Sequence, residues 1–160
     1  MVSIEDLKRI VLFQNLPDQM LEKLLPVVKE ESFKEREIIY EAGNAATHFY
    51  SLKRGKVLLE AELTPTLIIS LGSIKTGYSF GWAALNPPAT HTSYAVSVEP
   101  SEMFVISGDK YLDLLDHNEA MGYLIMLNSA RILENRLEHR TGQFLKSISK
   151  HPEIRRLLGL

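Results

Sequence analysis

Apolar residues at helical spacing begin the chain. One face of a first predicted helix carries four aliphatic residues, Ile4, Leu7, Ile10 and Val11. A second helix is predicted after Leu16, because Pro17 suits a first-turn position and Asp18 lies near the positive end of the helix dipole. Pro26 is expected to end or bend that helix. The first 30 residues therefore form a helical lead-in.

From about Glu31 to Ser107 the pattern changes to short apolar runs separated by turn residues. The runs are 38–40, 49–52, 57–63, 67–71, 93–98 and 103–106. Thr64-Pro65 is predicted to form the tip of a hairpin between two of them. Strands that return every ~8–12 residues are typical of a sandwich, a jelly roll or a barrel. The predicted fold class is mainly β, with helices on either side.

Helical spacing returns after Ser107, first in a short helix and then in a long one from about Glu119 to Phe144. The long helix carries an apolar seam, namely Tyr123, Met126, Ala130, Leu133, Leu137 and Phe144. At ~1.5 Å per residue this helix is about 40 Å long, which is more than a small barrel covers. We therefore predict a homodimer through the seam. The alternative is that the seam is part of the core.

These patterns divide the chain into one domain and a tail. The domain spans residues 1–145, with the lead-in over 1–30, the β-roll over 31–107 and the C-terminal helices over 108–145. Residues 146–160 are expected to be a tail of basic and apolar residues.

Composition narrows the function classes. Lys and Arg total 18 against 20 Asp and Glu, so the net charge of −2 predicts no direct nucleic-acid partner. The chain has no Cys, which excludes thiolate metal sites, disulfides and Cys nucleophiles. No apolar run approaches the ~20 residues of a membrane span, and the start has no signal-peptide pattern. We expect a cytoplasmic protein without a membrane partner.

Three segments resemble the cyclic-nucleotide-binding domain family. They are Leu12–Pro17, Tyr50–Val57 and Gly77–Trp82. The last is similar to the Gly-Asp-x-hydrophobic-Gly-Glu stretch that enters the phosphate-binding cassette of that family. The resemblance covers roughly residues 10–144. It implies a β-barrel or jelly roll of that type, followed by a long helix, and a sensor rather than a catalyst.

The cassette departs from the family pattern at its charged positions. In the family, an acidic residue accepts from the ribose hydroxyl and an Arg pairs with the cyclic phosphate. The acidic position here is Trp82, and the Arg position is His91, next to Thr92 at a family hydroxyl position. Charge-assisted contacts contribute ~1.5–3 kcal/mol each, so losing two weakens binding by about two to four orders of magnitude. The resemblance implies six candidate ligand-binding residues: Gly81, Trp82, Ala83, Ala84, His91 and Thr92.

Each of the unusual residues also has a structural interpretation. Trp82 either gates or stacks in the pocket, or it packs in the interior. His91 is either an anion ligand or a strand histidine with a satisfied hydrogen bond. The other histidines have no ligand spacing, so no metal site is predicted. No catalytic constellation stands out, so we do not expect an enzyme.

Three functions are consistent with these patterns. The first is a stand-alone ligand-sensing domain that signals through its long helix, with a cyclic nucleotide or another small anion as its ligand. The second is a ligand-free structural or interaction module. The third is the sensor fragment of a transcription regulator that lacks its helix-turn-helix domain. The length argues against an appended helix-turn-helix, because only about fifteen residues follow the long helix, although that objection lapses if the chain is a fragment.

Overall fold

The computed structural model describes residues 1–159, which fall into two units. The first unit is Met1–Leu124 and the second begins at Ile125. The first unit holds eight strands: β1 (Val28–Phe33), β2 (Ile38–Tyr40), β3 (His48–Arg54), β4 (Val57–Thr64), β5 (Leu67–Ile74), β6 (Ser79–Phe80), β7 (Tyr94–Ser97) and β8 (Ser101–Ser107). They form two four-stranded antiparallel sheets, in the orders β1-β8-β3-β6 and β2-β7-β4-β5.

This architecture confirms the predicted fold class. The two sheets, the helical lead-in and the long C-terminal helix occur in the predicted order. The inner faces of the strands form a continuous apolar core, because alternate residues of each strand point to the same face. Its buried members are Tyr50, Leu52, Val57, Leu59, Ile74, Phe80, Ala95, Met103 and Val105.

Two strands carry little apolar signal. β1 begins at Val28, its only buried residue, and continues through exposed charged positions. Its pairing with β8, from Val28 opposite Ile106 to Phe33 opposite Ser101, makes it a strand. β6 has two residues and is held by β3. Long-range pairing therefore creates both strands where the local pattern is weak.

The first lead-in helix is shorter than the sequence predicts. The helix α1 (Ile4–Lys8) opens with a capping box between Ser3 and Asp6. It ends before Ile10, which is extended, and the Val11 N–H donates to the Gly77 carbonyl at 2.9 Å. The prediction that Val11 continues this helix is wrong because that hydrogen bond holds it in a separate 3-10 turn.

Two prolines delimit the second helix, although Pro17 is its N-cap residue and not the first-turn residue that was predicted. The helix α2 (Asp18–Leu24) starts directly after Pro17 and ends before Pro26. A third helix, α3 (Gly108–Asp116), follows β8, and Ser107 is its N-cap residue without a side-chain capping bond. Buried leucines on α2 and Tyr111 on α3 add to the apolar interior of the first unit.

The long helix α4 (Glu119–Ser149) continues beyond its predicted end at Phe144. Gly142 does not interrupt it, and Ser147 Oγ donates to the Gln143 carbonyl one turn earlier. A further helix, α5 (Pro152–Leu158), begins with Pro152 in its first turn, where a missing N–H has no cost. The expected tail is therefore largely helical. Among the described residues, no helix has the length and apolar character that a bilayer crossing requires.

Candidate ligand-binding site

Gly81 makes the sharp turn at which the candidate cassette begins. Its backbone is left-handed, with φ 77° and ψ 30°, between β6 and the 3-10 helix Trp82–Leu85. A Cβ at this position would lie 2.9 Å from the His48 carbonyl oxygen and 2.9 Å from Tyr50 Cδ2. Both the conformation and the close approach require glycine.

The indole ring of Trp82 packs against another aromatic side chain of the first unit, to which Trp82 itself belongs. The ring meets the fully buried Phe49 edge-on, with centroids 5.0 Å apart and planes at 74°. Trp82 Nε1 is buried and has no hydrogen-bond partner within the described chain. Phe49 also contacts Tyr111, at 5.7 Å between centroids. An edge-on contact of this kind is typical of a side chain that packs in the interior. An indole also has no carboxylate to accept a hydrogen bond from a ribose hydroxyl.

The two alanines that follow anchor the cassette turn to α3. Ala84 is buried, and a Cβ on Gly108 would lie 2.5 Å from the Ala84 carbonyl oxygen. Ala83 is half-buried and its carbonyl accepts from the Asn86 N–H at 3.1 Å. The turn is therefore held by close backbone packing on α3 and by its own hydrogen bonds.

His91 lies in the interior with its ring flat against Tyr40. Only 6% of His91 is exposed, and the two ring centroids are 3.6 Å apart with planes at 7°. The backbone N–H of His91 donates to the Asn44 carbonyl at 2.9 Å, and the His91 carbonyl accepts from the backbone N–H of Gly43 at 2.8 Å. Burial lowers the pKa of the imidazole. At neutral pH His91 is therefore uncharged.

The buried imidazole predicts a specific pH dependence of stability. The unfolded chain binds a proton at His91 below its ordinary pKa of about 6.5, whereas the folded protein resists it because burial lowers that pKa. The free energy of unfolding should therefore fall as pH drops from 7 towards 5. His91→Phe keeps a flat ring beside Tyr40 and should show a shallower fall, measured by urea unfolding at each pH. Parallel curves for the two proteins would contradict the argument.

An open groove of about 390 Å³ lies beside the C-terminal half of β4, residues 61–64. Its lining residues are Ala42, Ala61, Glu62, Leu63, Thr64, Pro65, Thr92 and Tyr94. This volume falls in the range of small-molecule sites, which is about 300–1,000 Å³. Thr92, Thr64 and Tyr94 offer hydroxyl groups, and Glu62 is the charged residue of the lining.

The structure does not bring all six candidate residues to this groove. Thr92 lines it, whereas Gly81, Trp82, Ala83, Ala84 and His91 are absent from its lining. The strand residues of the lining carry no chemical motif, so sequence reasoning missed them. The Thr64-Pro65 hairpin tip was the signal near them. Residues 78–101 contain no Lys or Arg, so neither the cassette nor the groove lining supplies a cation for a phosphate.

Known proteins share the family and the fold of this chain. A family model described as the cyclic nucleotide-binding domain matches residues 30–118. A putative cyclic nucleotide-binding protein from Geobacter metallireducens GS-15 is 27% identical, with a TM-score of 0.75, over 86% of this chain and 99% of its own.

Two further solved structures share the fold. The sensor domain of the transcriptional regulator DNR from Pseudomonas aeruginosa is 23% identical, with a TM-score of 0.67, over 86% of this chain and 95% of its own. The regulatory domain of Toxoplasma gondii PKA, solved with cAMP, is 17% identical, with a TM-score of 0.69, over 82% of this chain and 48% of its own.

Proposed function

Because the chain belongs to the cyclic nucleotide-binding domain family, we propose that it is a non-enzymatic regulatory sensor that signals through α4 without the usual cassette contacts to cyclic nucleotides. The family match covers the predicted β-roll, and the DNR match is to the sensor domain of a transcription regulator. The observation that carries the proposal is that the candidate cassette has no charged side chain at either of the family's two charged positions. Trp82 stands at the acidic position and a buried, neutral His91 at the Arg position.

The missing charges set the expected affinity. A cyclic phosphate carries one negative charge, and an Arg side chain binds such a group with paired hydrogen bonds. His91 makes no such fork, since its ring stacks on Tyr40 in the interior. The groove adds the carboxylate of Glu62, which repels an anion. These features favour a ligand other than a cyclic nucleotide, or a weakly held one.

Cyclic AMP and cyclic GMP are expected to bind with dissociation constants weaker than ~10 μM. Isothermal titration calorimetry of the purified protein with both nucleotides measures this directly. The Toxoplasma gondii PKA regulatory domain, solved with cAMP, provides a positive control of the same fold. A submicromolar dissociation constant for either nucleotide would overturn the proposal of a degenerate cassette.

The exposed apolar surface of α4 supports a homodimer as the state that transmits the signal. Its predicted seam is exposed along its length: Tyr123 (68%), Met126 (41%), Leu133 (42%), Leu137 (68%) and Phe144 (64%). Ala130 is also exposed, and its small side chain permits two helices to approach closely. Burying each large apolar side chain of this seam against a second copy contributes ~1.5–3 kcal/mol.

Two other functions remain as alternatives. A structural or interaction module has no ligand, and a sensor fragment of a transcription regulator works only beside a separate DNA-binding domain. Native mass spectrometry of the freshly purified protein discriminates the first alternative. A co-purifying small molecule supports the sensor, whereas its absence supports the module.

A further inference from the structure

The distal half of the β4–β5 hairpin is a two-stranded ribbon with an exposed apolar surface. β7 pairs with β4 only over Val57–Glu60, so Ala61–Thr64 pairs with β5 alone. The exposed aliphatic residues of the ribbon are Leu63 (62%), Leu67 (48%), Ile68 (65%) and Ile69 (37%). A two-stranded ribbon is marginally stable by itself, and this one leaves its largest side chains uncovered within the described chain.

β5 is also the edge of its sheet, and it differs from the other edge strands. β2 and β6 have three and two residues, which leaves little edge to pair. β1 carries Lys29, Glu30 and Glu31, and charges of this kind discourage pairing with another strand. β5 has eight residues and no charged side chain. Among the described strands it is therefore the long edge without protection.

A bulge limits the usable part of this edge. Gly72 pairs with Leu59 and Ser70 pairs with Glu60, so Leu71 is an extra residue that disturbs the ladder. Between this bulge and the hairpin turn, the run Leu67–Ser70 remains free on its outer side. The three exposed aliphatic residues of β5 all lie within that run.

We propose that this edge pairs antiparallel with the same edge of a second copy of the chain, with the two-fold axis at Ile68. In that register Ile68 lies opposite its own copy and Leu67 lies opposite Ile69, so aliphatic residues face aliphatic residues across the ladder. An isologous contact requires such a self-complementary patch.

Charge does not oppose this pairing. The run 63–74 contains no charged residue, so no like charges become direct neighbours. Glu62, which pairs with Ile68 from the β4 side, would stand three strand spacings from its copy, about 14 Å. That separation exceeds the Debye length of about 8 Å at physiological salt. A second copy of the chain therefore covers this surface without bringing like charges together.

The ribbon contact is independent of the α4 seam. Ile68 and its neighbours belong to the first unit, whereas the substitutions that test the seam are in α4. The pairing is therefore measured in the unmodified chain and in a chain carrying Leu133→Glu and Leu137→Glu. Failure of the seam alone leaves the ribbon contact intact in both proteins.

Engineered disulfides test the register, because the natural chain has no cysteine. Directly opposed residues have Cβ atoms about 4.5–5.5 Å apart, near the disulfide range, whereas residues offset by two positions are about 7–8 Å apart. Ile68→Cys should form an intermolecular disulfide about tenfold faster than Leu67→Cys or Ile69→Cys, which are matched controls on the same strand. Non-reducing electrophoresis during mild oxidation gives the rates.

The other outcomes each overturn the proposal. Equal rates at all three positions would indicate an apolar contact without strand pairing, and a faster rate at Leu67→Cys or Ile69→Cys would refute the register. A chain that stays monomeric with Leu133→Glu and Leu137→Glu at ~200 μM, and forms no disulfide at position 68, would leave the ribbon to another occupant. That occupant would be an extended segment of a different protein.

Discussion

Replacing Leu133 and Leu137 with glutamate is expected to separate the α4 dimer while the protein stays folded, so that the remaining association runs through the β5 edge alone. Both side chains are exposed on α4, 42% and 68%, one turn apart on the same seam. Each leucine that loses its burial in the dimer forgoes ~1.5–3 kcal/mol, and the two copies lose four of them, about 6–12 kcal/mol in total. Glutamates facing glutamates across the seam add repulsion. The dimer should weaken by at least about 10⁴-fold.

Light scattering at ~100 μM measures the mass directly, and thermal unfolding tests whether the β-roll is intact. Asn135→Glu with His139→Glu is the matched control, because it introduces two glutamates at the same spacing on exposed positions away from the seam. The control should keep the oligomeric state of the unmodified protein. If the unmodified protein is already a monomer at this concentration, the seam hypothesis is wrong.

Gly81→Ala should cause a larger loss of stability than the same substitution at Gly43, another turn glycine. A left-handed backbone costs a residue with a Cβ about 1–2 kcal/mol. The new methyl group would also press on the His48 carbonyl oxygen at 2.9 Å, which is backbone and moves only with β3. Such overpacking adds about 1–3 kcal/mol. We expect the free energy of unfolding to fall by about 2–5 kcal/mol.

Gly43→Ala separates the two causes. Gly43 has a similar φ of +85°, but a Cβ added there would meet no atom within 4 Å. It should lose only the conformational part, about 1–2 kcal/mol. Urea unfolding of the two variants and the parent protein measures the difference. Equal losses would show that the contact with His48 contributes nothing to the requirement for glycine at position 81.

Local sequence patterns predict the order of most elements and most of the turns. Periods of two and of 3.6 residues are local properties, so the hairpin at Thr64-Pro65, the strand Ile38–Tyr40 and the start of α4 at Glu119 were all predictable. Proline acts locally too, through its fixed φ and missing N–H, which is why α2 begins after Pro17. The loss of charge at Trp82 and His91 was likewise visible in the sequence.

Long-range contacts establish which of the candidate site residues line the groove and which are buried. His91 and Tyr40 lie far apart along the chain, and only the pairing of β2 with β7 and the chain leading into β7 bring their rings to 3.6 Å. The groove likewise depends on β4, which extends beyond its pairing with β7 after Glu60. Strand β1 exists because β8 supplies its hydrogen bonds. Such contacts join residues distant in sequence, and no local period encodes which of them will meet.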